Sequence, residues 1–289
     1  SVDMGFNFTQ SNQIAGNSDL TGQLSVSASC PNCLYFASAN GVWKSTNNGM
    51  DFTFLSNPSQ SCQGFAVNDL DDANMIYGYV DIEATTDGGA TFNKVTSWTL
   101  GNAMHGIGTN NEKFHNTTKY VHADLRTAKC VNGIFYVGTD GFIAKSVDNG
   151  INWEVIGQGI AVKEFYKLGV SQSNHYRTIV GAQDNGETIQ YKGAWLDFYG
   201  ADGMEGLIHP LNDQWIVGSV QYGSRRRSKN GGASQGGVSP AGQSGSGNAA
   251  WEAPITYDPN NHMTIYNFSK QIYKSEDFGD NWNLTGSPS

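Results

Sequence analysis

One eight-residue pattern, Ser-x-Asp-x-Gly-x-x-aromatic, recurs along this chain and constrains its fold more than any other feature. It stands as Ser1-Val-Asp3-Met-Gly5-Phe-Asn-Phe8 and, with Asn for Asp, as Ser45-Thr-Asn47-Asn-Gly49-Met-Asp-Phe52. It returns as Thr85-Thr-Asp87-Gly-Gly89-Ala-Thr-Phe92, Ser146-Val-Asp148-Asn-Gly150-Ile-Asn-Trp153 and Ser275-Glu-Asp277-Phe-Gly279-Asp-Asn-Trp282. A weaker copy, Ser228-Lys-Asn230-Gly-Gly232-Ala-Ser-Gln235, lacks the aromatic. The chemistry is that of a hairpin clasp: the Asp or Asn accepts local backbone N–H bonds, Gly permits positive φ, and the aromatic buries against a sheet.

The copies begin 44, 40, 61, 82 and 47 residues apart. The interval of 82 is two units of about 41, the size of a four-stranded blade, so one unit has lost its clasp. Gln190-Tyr-Lys-Gly-Ala-Trp195 stands where that turn belongs, which puts a weak fifth unit between residues 160 and 200. The interval of 61 holds an inserted loop at 97–118. Before each clasp the sequence reads strand, polar turn, strand, strand: Ile255-Thr-Tyr257, Ile265-Tyr266 and Gln271-Ile-Tyr-Lys274 in the last unit. Equivalent second strands are Cys33–Phe36, Met75–Tyr77, Ile134–Val137 and Trp215–Val217. The expected fold is all-β, with seven registers of four-stranded units. They fall at 1–20 (partial), 21–56, 61–97, 119–157, 163–199, 203–250 and 251–289, in one domain, with a flexible Gly/Ser-rich connection at 229–250. Ser1 falls inside a clasp, so the first unit is incomplete and the chain reads as part of a longer multidomain protein.

These clasps resemble the Asp-box, or bacterial neuraminidase repeat, which implies a β-propeller of the kind found in sialidases, sortilin-type receptors and family 74 glycoside hydrolases. Stretches such as Val121-His-Ala-Asp-Leu-Arg126, Val180-Gly-Ala-Gln-Asp-Asn-Gly186, Gly200-Ala-Asp-Gly-Met-Glu205 and Gly245-Ser-Gly-Asn-Ala-Ala-Trp251 are similar to propellers of secreted Bacteroidetes proteins. The structural Asp-box residues are then Asp3, Asn47, Asp87, Asp148, Asn230 and Asp277.

Composition agrees with short strands and tight turns: 36 of 289 residues are Gly, well above the usual share of roughly 7%. The formal charge of −9 repels phosphate backbones and argues against nucleic acid as partner. The single basic run, Arg225-Arg226-Arg227, reads as a solvated strand edge. No apolar run approaches the roughly 20 residues that span a bilayer. Cys30-Pro-Asn-Cys33 lacks a second pair or a nearby His to complete a metal set, so a disulfide across a Pro31-Asn32 turn is expected. An acidic, Lys-poor chain with sequons at Asn7, Asn116, Asn267 and Asn283 suits a secreted or cell-surface location.

Turns at the end of each unit opposite the clasps are where function is expected. They hold Asn40, Asp81, Asp140, Gln183-Asp184-Asn185, Gln221-Tyr222 and Ser269. Segments leading into the innermost strands hold His122, Asp124, Arg126, Glu164, Tyr166, Asp202, Glu205, Trp251 and Glu252. His122-x-Asp124-x-Arg126 has strand spacing, which places all three on one side of a strand, as an ion-paired network or a ligand site. Asp184, Asp202 and Glu205 are the catalytic candidates, a carboxylate set of the type glycoside hydrolysis needs, or else turn carboxylates. The same groups are compatible with calcium, although no spacing resembles an EF-hand loop, and no cofactor is required. Ligand-binding candidates are His122, Asp124, Arg126, Glu164, Tyr166, Asp184, Gln221, Tyr222 and Trp251, the last as a packing anchor or a sugar platform.

Three functions of different class follow. The first is a non-catalytic propeller binding a glycan or protein partner. The second is a family 74-like glycoside hydrolase; a structural part of an extracellular assembly is a third. The resemblance to sialidases implies three spaced arginines and a Phe/Tyr-Arg-Ile-Pro motif, which this sequence lacks, and family 74 enzymes use a cleft between two propellers.

Overall fold

The computed structural model describes residues 4–7, 9–19, 21–102, 117–156 and 164–286. Its described residues form six four-stranded antiparallel sheets, each a meander in which consecutive strands are neighbours. Two compact units divide the chain. The first holds β1–β4 (Gln23–Ser27, Cys30–Ser38, Gly41–Ser45, Thr53–Ser56), β5–β8 (Gly64–Val67, Met75–Gly78, Ile82–Thr85, Asn93–Lys94) and β9–β12 (Leu125–Val131, Ile134–Thr139, Ile143–Ser146, Glu154–Val155). It also carries one turn of helix, α1 (Thr99–Asn102). The second holds β13–β16 (Phe165–Val170, Arg177–Ala182, Gly186–Tyr191, Ala194–Tyr199), β17–β20 (Leu207–Ile208, Ile216–Val220, Ser224–Ser228, Gly236–Gly237) and β21–β24 (Ile255–Tyr257, Ile265–Phe268, Ile272–Ser275, Asn283–Gly286). Asp3 and Phe8 of the first clasp, and most of the 97–118 insertion, lie outside the described residues.

The five described clasps share one hydrogen-bond scheme. In the last, the Ser275 hydroxyl accepts from the N–H of Asp277 (3.3 Å) and Gly279 (2.8 Å) and donates to Asp277 Oδ1 (2.7 Å), which accepts the Asn281 N–H (2.8 Å). The clasp glycine lies at φ between 85° and 100° in all five, open to Gly at no steric cost. A second rule emerges between positions three and seven. Where position three is Asp, position seven donates: Thr91 to Asp87, Asn152 to Asp148, Asn281 to Asp277. Where it is Asn, position seven accepts, as Asp51 and Ser234 do from Asn47 and Asn230. Burial works against ionisation of Asp277, yet the Asn281 backbone and amide and the Ser275 hydroxyl hold its carboxyl at about 2.

This complementarity yields a test. Asn47→Asp sets two acceptor-only carboxylates against each other and is expected to lower stability, whereas Asn47→Asp with Asp51→Asn restores the donor–acceptor order and recovers most of the loss. Chemical unfolding of the single and double variants decides; equal losses in both would mean that the pairing does not matter.

Within each unit, adjacent sheets pack face to face. Tyr35, Val42, Val67 and Met75 bury between the first two sheets, and Ile76, Ala84, Phe135 and Trp153 between the second and third. In the second unit Ile179, Ile189, Phe198 and Ile216 fill one interface, and Val217, Ile255, Ile265 and Phe278 the next. Strands buried on both faces explain the near-continuous apolar runs such as Met75–Tyr77. Where the clasp is missing, Tyr191 and Ala194 pair directly around a two-residue turn, Lys192 (φ 50°) and Gly193 (φ 85°), the geometry that matches strand twist.

Several expectations are corrected. Cys30 and Cys33 are joined by a disulfide, but both lie in β2 and the turn is Ala28-Ser29, where the Ser27 hydroxyl accepts the Ser29 N–H, so Pro31-Asn32 is not a turn centre. The 229–250 segment is tied down along its length: Gly236–Gly237 pair with β19, Val238 N–H bonds Arg225 O (3.0 Å), and Gly245 N–H bonds Tyr222 O (2.9 Å). Arg225 is 1% exposed, because alternation along β19 turns it into a sheet interface while Arg226 faces solvent. Asn267 is also buried, with its side-chain oxygen held by Arg225, so that sequon offers no accessible amide. No helix among the described residues is long and apolar enough to cross a membrane.

Candidate functional site

An antiparallel meander puts the first turn and the clasp turn at one end of a sheet and the β2–β3-type turn at the other. In the second unit three such far-end turns, at 183–185, 221–223 and 269–271, meet the segments leading into the innermost strands. The residues singled out there form one closed circuit of hydrogen bonds. Tyr166 Oη donates to Gln183 Oε1 (2.8 Å). Next along the chain, the Asp184 N–H donates to Asp202 Oδ1 (2.9 Å). Asp202 and Gln221 are doubly joined, the Asp202 N–H to Gln221 Oε1 and the Gln221 N–H to Asp202 O, both at 3.1 Å. The Tyr222 N–H then donates to Trp251 O (2.9 Å), and Trp251 Nε1 returns to Tyr166 Oη (3.2 Å).

Backbone strain gathers at the same place. Asp184 (φ 55°), Ala201 (φ 65°) and Tyr222 (φ 59°) all sit in the left-handed region, where a bulky residue such as Tyr is rare. Conformations of this cost persist where surrounding bonds over-determine them and gather at functional sites. Tyr222 meets Trp251 edge to face, ring centres 5.2 Å apart. Trp251 nevertheless keeps 39% of its surface exposed. Lys167 and Glu252 pair beside it at 2.9 Å. Glu164 is exposed, and its carbonyl accepts the Gln183 N–H (3.1 Å).

Glu205 turns away from this circuit. Its Oε2 accepts the Ile255 N–H (3.0 Å), tying the start of β21 to the segment before β17. Below the circuit lie two buried groups that sequence reasoning did not single out as a site. Glu187 on β15 is 1% exposed with neither carboxyl oxygen hydrogen-bonded, and it fits because Gly218 opposite has no Cβ; one added there would lie 1.8 Å from Oε2. Burial pushes its carboxyl well up, against the opposing pull of the Ser219 backbone and Arg225. Arg225 donates to Asn267 Oδ1 (2.5 Å), Ala253 O (3.0 Å) and Pro254 O (2.8 Å), while burial draws its guanidinium down to about 10 against the opposing pull of Glu205 and Glu187.

In the first unit the His122-x-Asp124-x-Arg126 expectation fails. β9 starts at Leu125 and Asp124 lies at φ 60°, so the alternation that would align the three side chains is broken before the strand begins. His122 Nδ1 lies 3.1 Å from Ala123 O and its ring packs edge-on to Phe142. Arg126 forms a two-pronged pair with Asp140 (2.5 and 2.6 Å) and reaches Gln63 (3.2 Å), the ion-paired alternative.

No family model matches the sequence, and no curated protein matches it. Solved structures similar to it include a GH74 enzyme of Niastella koreensis, 18% identical over 90% of this chain and 46% of that one, with a TM-score of 0.34. YCF48 from Cyanidioschyzon merolae is 12% identical over 92% of this chain and 81% of that one, TM-score 0.34. PorZ of Porphyromonas gingivalis, described as a surface component of a type-IX secretion system, is 12% identical over 92% and 35%, TM-score 0.43. The chain spans under half the length of that GH74 enzyme and of the GH74 xyloglucanase from Xanthomonas campestris, at 46% and 47%. Likenesses this distant assign no activity to this chain.

Proposed function

We propose that the chain is a non-catalytic binding module, an Asp-box β-propeller with seven registers, of a secreted or cell-surface protein akin to the Bacteroidetes class its inner-strand segments resemble. Its ligand, a glycan or a protein, meets the far-end turns of the second unit. The closed circuit from Tyr166 through Asp202 and Gln221 to Trp251 carries this reading, because it fixes the loops in advance and lowers the ordering cost of binding. Asp184 and Asp202 are adjacent, so distance does not exclude a hydrolase. What weighs against one is the use of the carboxylates: Asp202 receives the Asp184 amide and Glu205 the Ile255 amide. Each has one oxygen fixed on backbone, and Glu205 is turned to the start of β21 while Asp202 stays with the far-end turns, so the two do not face one bond as an acid–base pair must. Support also comes from the acidic surface, which suits neutral or cationic partners.

Incubation with soluble neutral and acidic polysaccharides and with extracellular-matrix proteins tests it by two readouts. The expected result is slowed amide exchange at residues 183–185, 201–205 and 221–222 with no release of reducing ends. Release of reducing ends that disappears in Asp202→Asn or Glu205→Gln overturns the reading in favour of a glycoside hydrolase.

A further inference from the structure

Trp251 offers a partner one thing only. Its Nε1 donates to Tyr166 Oη and Tyr222 meets its ring at near right angles, and the residue keeps 39% of its surface exposed, so apolar ring surface is what it has left to offer. A π face attracts either a cation or the weakly positive C–H bonds of a saturated ring. The polar groups of the surrounding circuit decide between them. Gln183 and Gln221 have their side-chain oxygens occupied, and neither amide NH2 has a partner among the described residues. Two unspent N–H2 donors disfavour a cation. They suit hydroxyl oxygens, while the second oxygen of Asp202 and the Tyr222 hydroxyl, also without partners among the described residues, suit hydroxyl hydrogens.

We propose that this site takes an uncharged pyranose, stacked on Trp251 and hydrogen-bonded by the Gln183 and Gln221 amides and the Asp202 carboxylate. The assignment rests on the binding-module reading and names its ligand class. A ring of alternating C–H face and hydroxyl rim needs both a flat apolar surface and mixed donors and acceptors, and here the two stand together. Asp202 and Glu164 repel carboxylated sugars, the charge of Glu252 being offset by Lys167, which separates this site from one built for sialic or uronic acids. Rigidity adds to it: Trp251 is pinned at its nitrogen, at its carbonyl by Tyr222, and on the following segment by the Lys167–Glu252 pair.

Titration calorimetry with four probes tests the proposal: cello-hexaose, manno-hexaose, a hexameric oligogalacturonide and tetramethylammonium. At least one neutral hexamer is expected to bind, the oligogalacturonide and the ammonium at least tenfold more weakly or undetectably. Trp251→Ala should weaken the neutral sugar tenfold or more, Trp251→Phe less, and Gln183→Glu with Gln221→Glu severalfold, with unchanged melting as the check on folding. Preference for the ammonium or the oligogalacturonide overturns the neutral-sugar assignment. So does neutral-sugar binding indifferent to Trp251→Ala, which moves the site elsewhere but leaves the binding-module reading intact. If no neutral probe binds while a matrix protein protects these loops from exchange, the sugar assignment falls and the module reading stands; if neither occurs, both fall.

Discussion

Arg225→Met is expected to destabilise the second unit by about 3–5 kcal/mol, the range seen when one member of a buried charged set is removed. Methionine keeps most of the stem volume, so the loss reports the guanidinium and not a cavity. Three acceptors lose their donor at once: Asn267 Oδ1, Ala253 O and Pro254 O, the first of them 1% exposed. Glu205 also loses the cation that faces it. Because Ala253 and Pro254 follow directly on Trp251 and Glu252, the variant should also loosen the Trp251 platform. Arg226→Met is the control. Its side chain lies over the Tyr199 ring at 4.8 Å in an exposed position, and its replacement should stay within about 0.5 kcal/mol. Denaturant unfolding of the pair separates them; similar small losses for both would show that the buried contacts of Arg225 contribute little.

The contrast between these neighbours shows what the sequence could and could not disclose. Alternation along a strand was readable from Arg225-Arg226-Arg227, but not that one face of β19 lies against the sheet of β21–β24, because that depends on residues 42 positions away. The clasps were legible because each is local: Ser275, Asp277 and Asn281 bond within seven residues, although the exchange of donor and acceptor between positions three and seven became visible only in the bonds of the five described copies. The far-end turns were legible as places, from the meander alone. Their closure into a circuit was not, since Trp251 meets Tyr166 across 85 residues. The His122-x-Asp124-x-Arg126 expectation failed on backbone conformation, where one left-handed residue at Asp124 undid a period that side-chain spacing seemed to establish. Glu187 carried no sequence signal at all. Only Gly218, on the facing strand, makes room for it.

Glu187→Met should therefore stabilise the chain at neutral pH, by about 1–3 kcal/mol, since an apolar side chain of similar shape removes a buried group that has no hydrogen-bond partner. The advantage should grow with pH. Burial holds the folded-state carboxyl well above the ordinary 4.5, so between 4.5 and the folded value the native chain keeps a proton that the unfolded chain has released. The contribution of Glu187 is thus fully present below about 4.5 and is lost as pH rises toward the folded value. Wild-type stability should carry this downward slope with rising pH, and both Glu187→Met and Glu187→Gln should lack it, the second without change of shape. Unfolding midpoints from pH 5 to 9 measure the difference. Arg225 supplies the opposing argument, because a nearby guanidinium favours the ionised carboxylate. Were that pull dominant, Glu187→Met would remove one of the two carboxylates that face Arg225 and lower stability at every pH above 5. The sign of the change at pH 7 therefore decides whether the interface beneath the far-end turns holds a neutral acid beside a cation or a full ion pair.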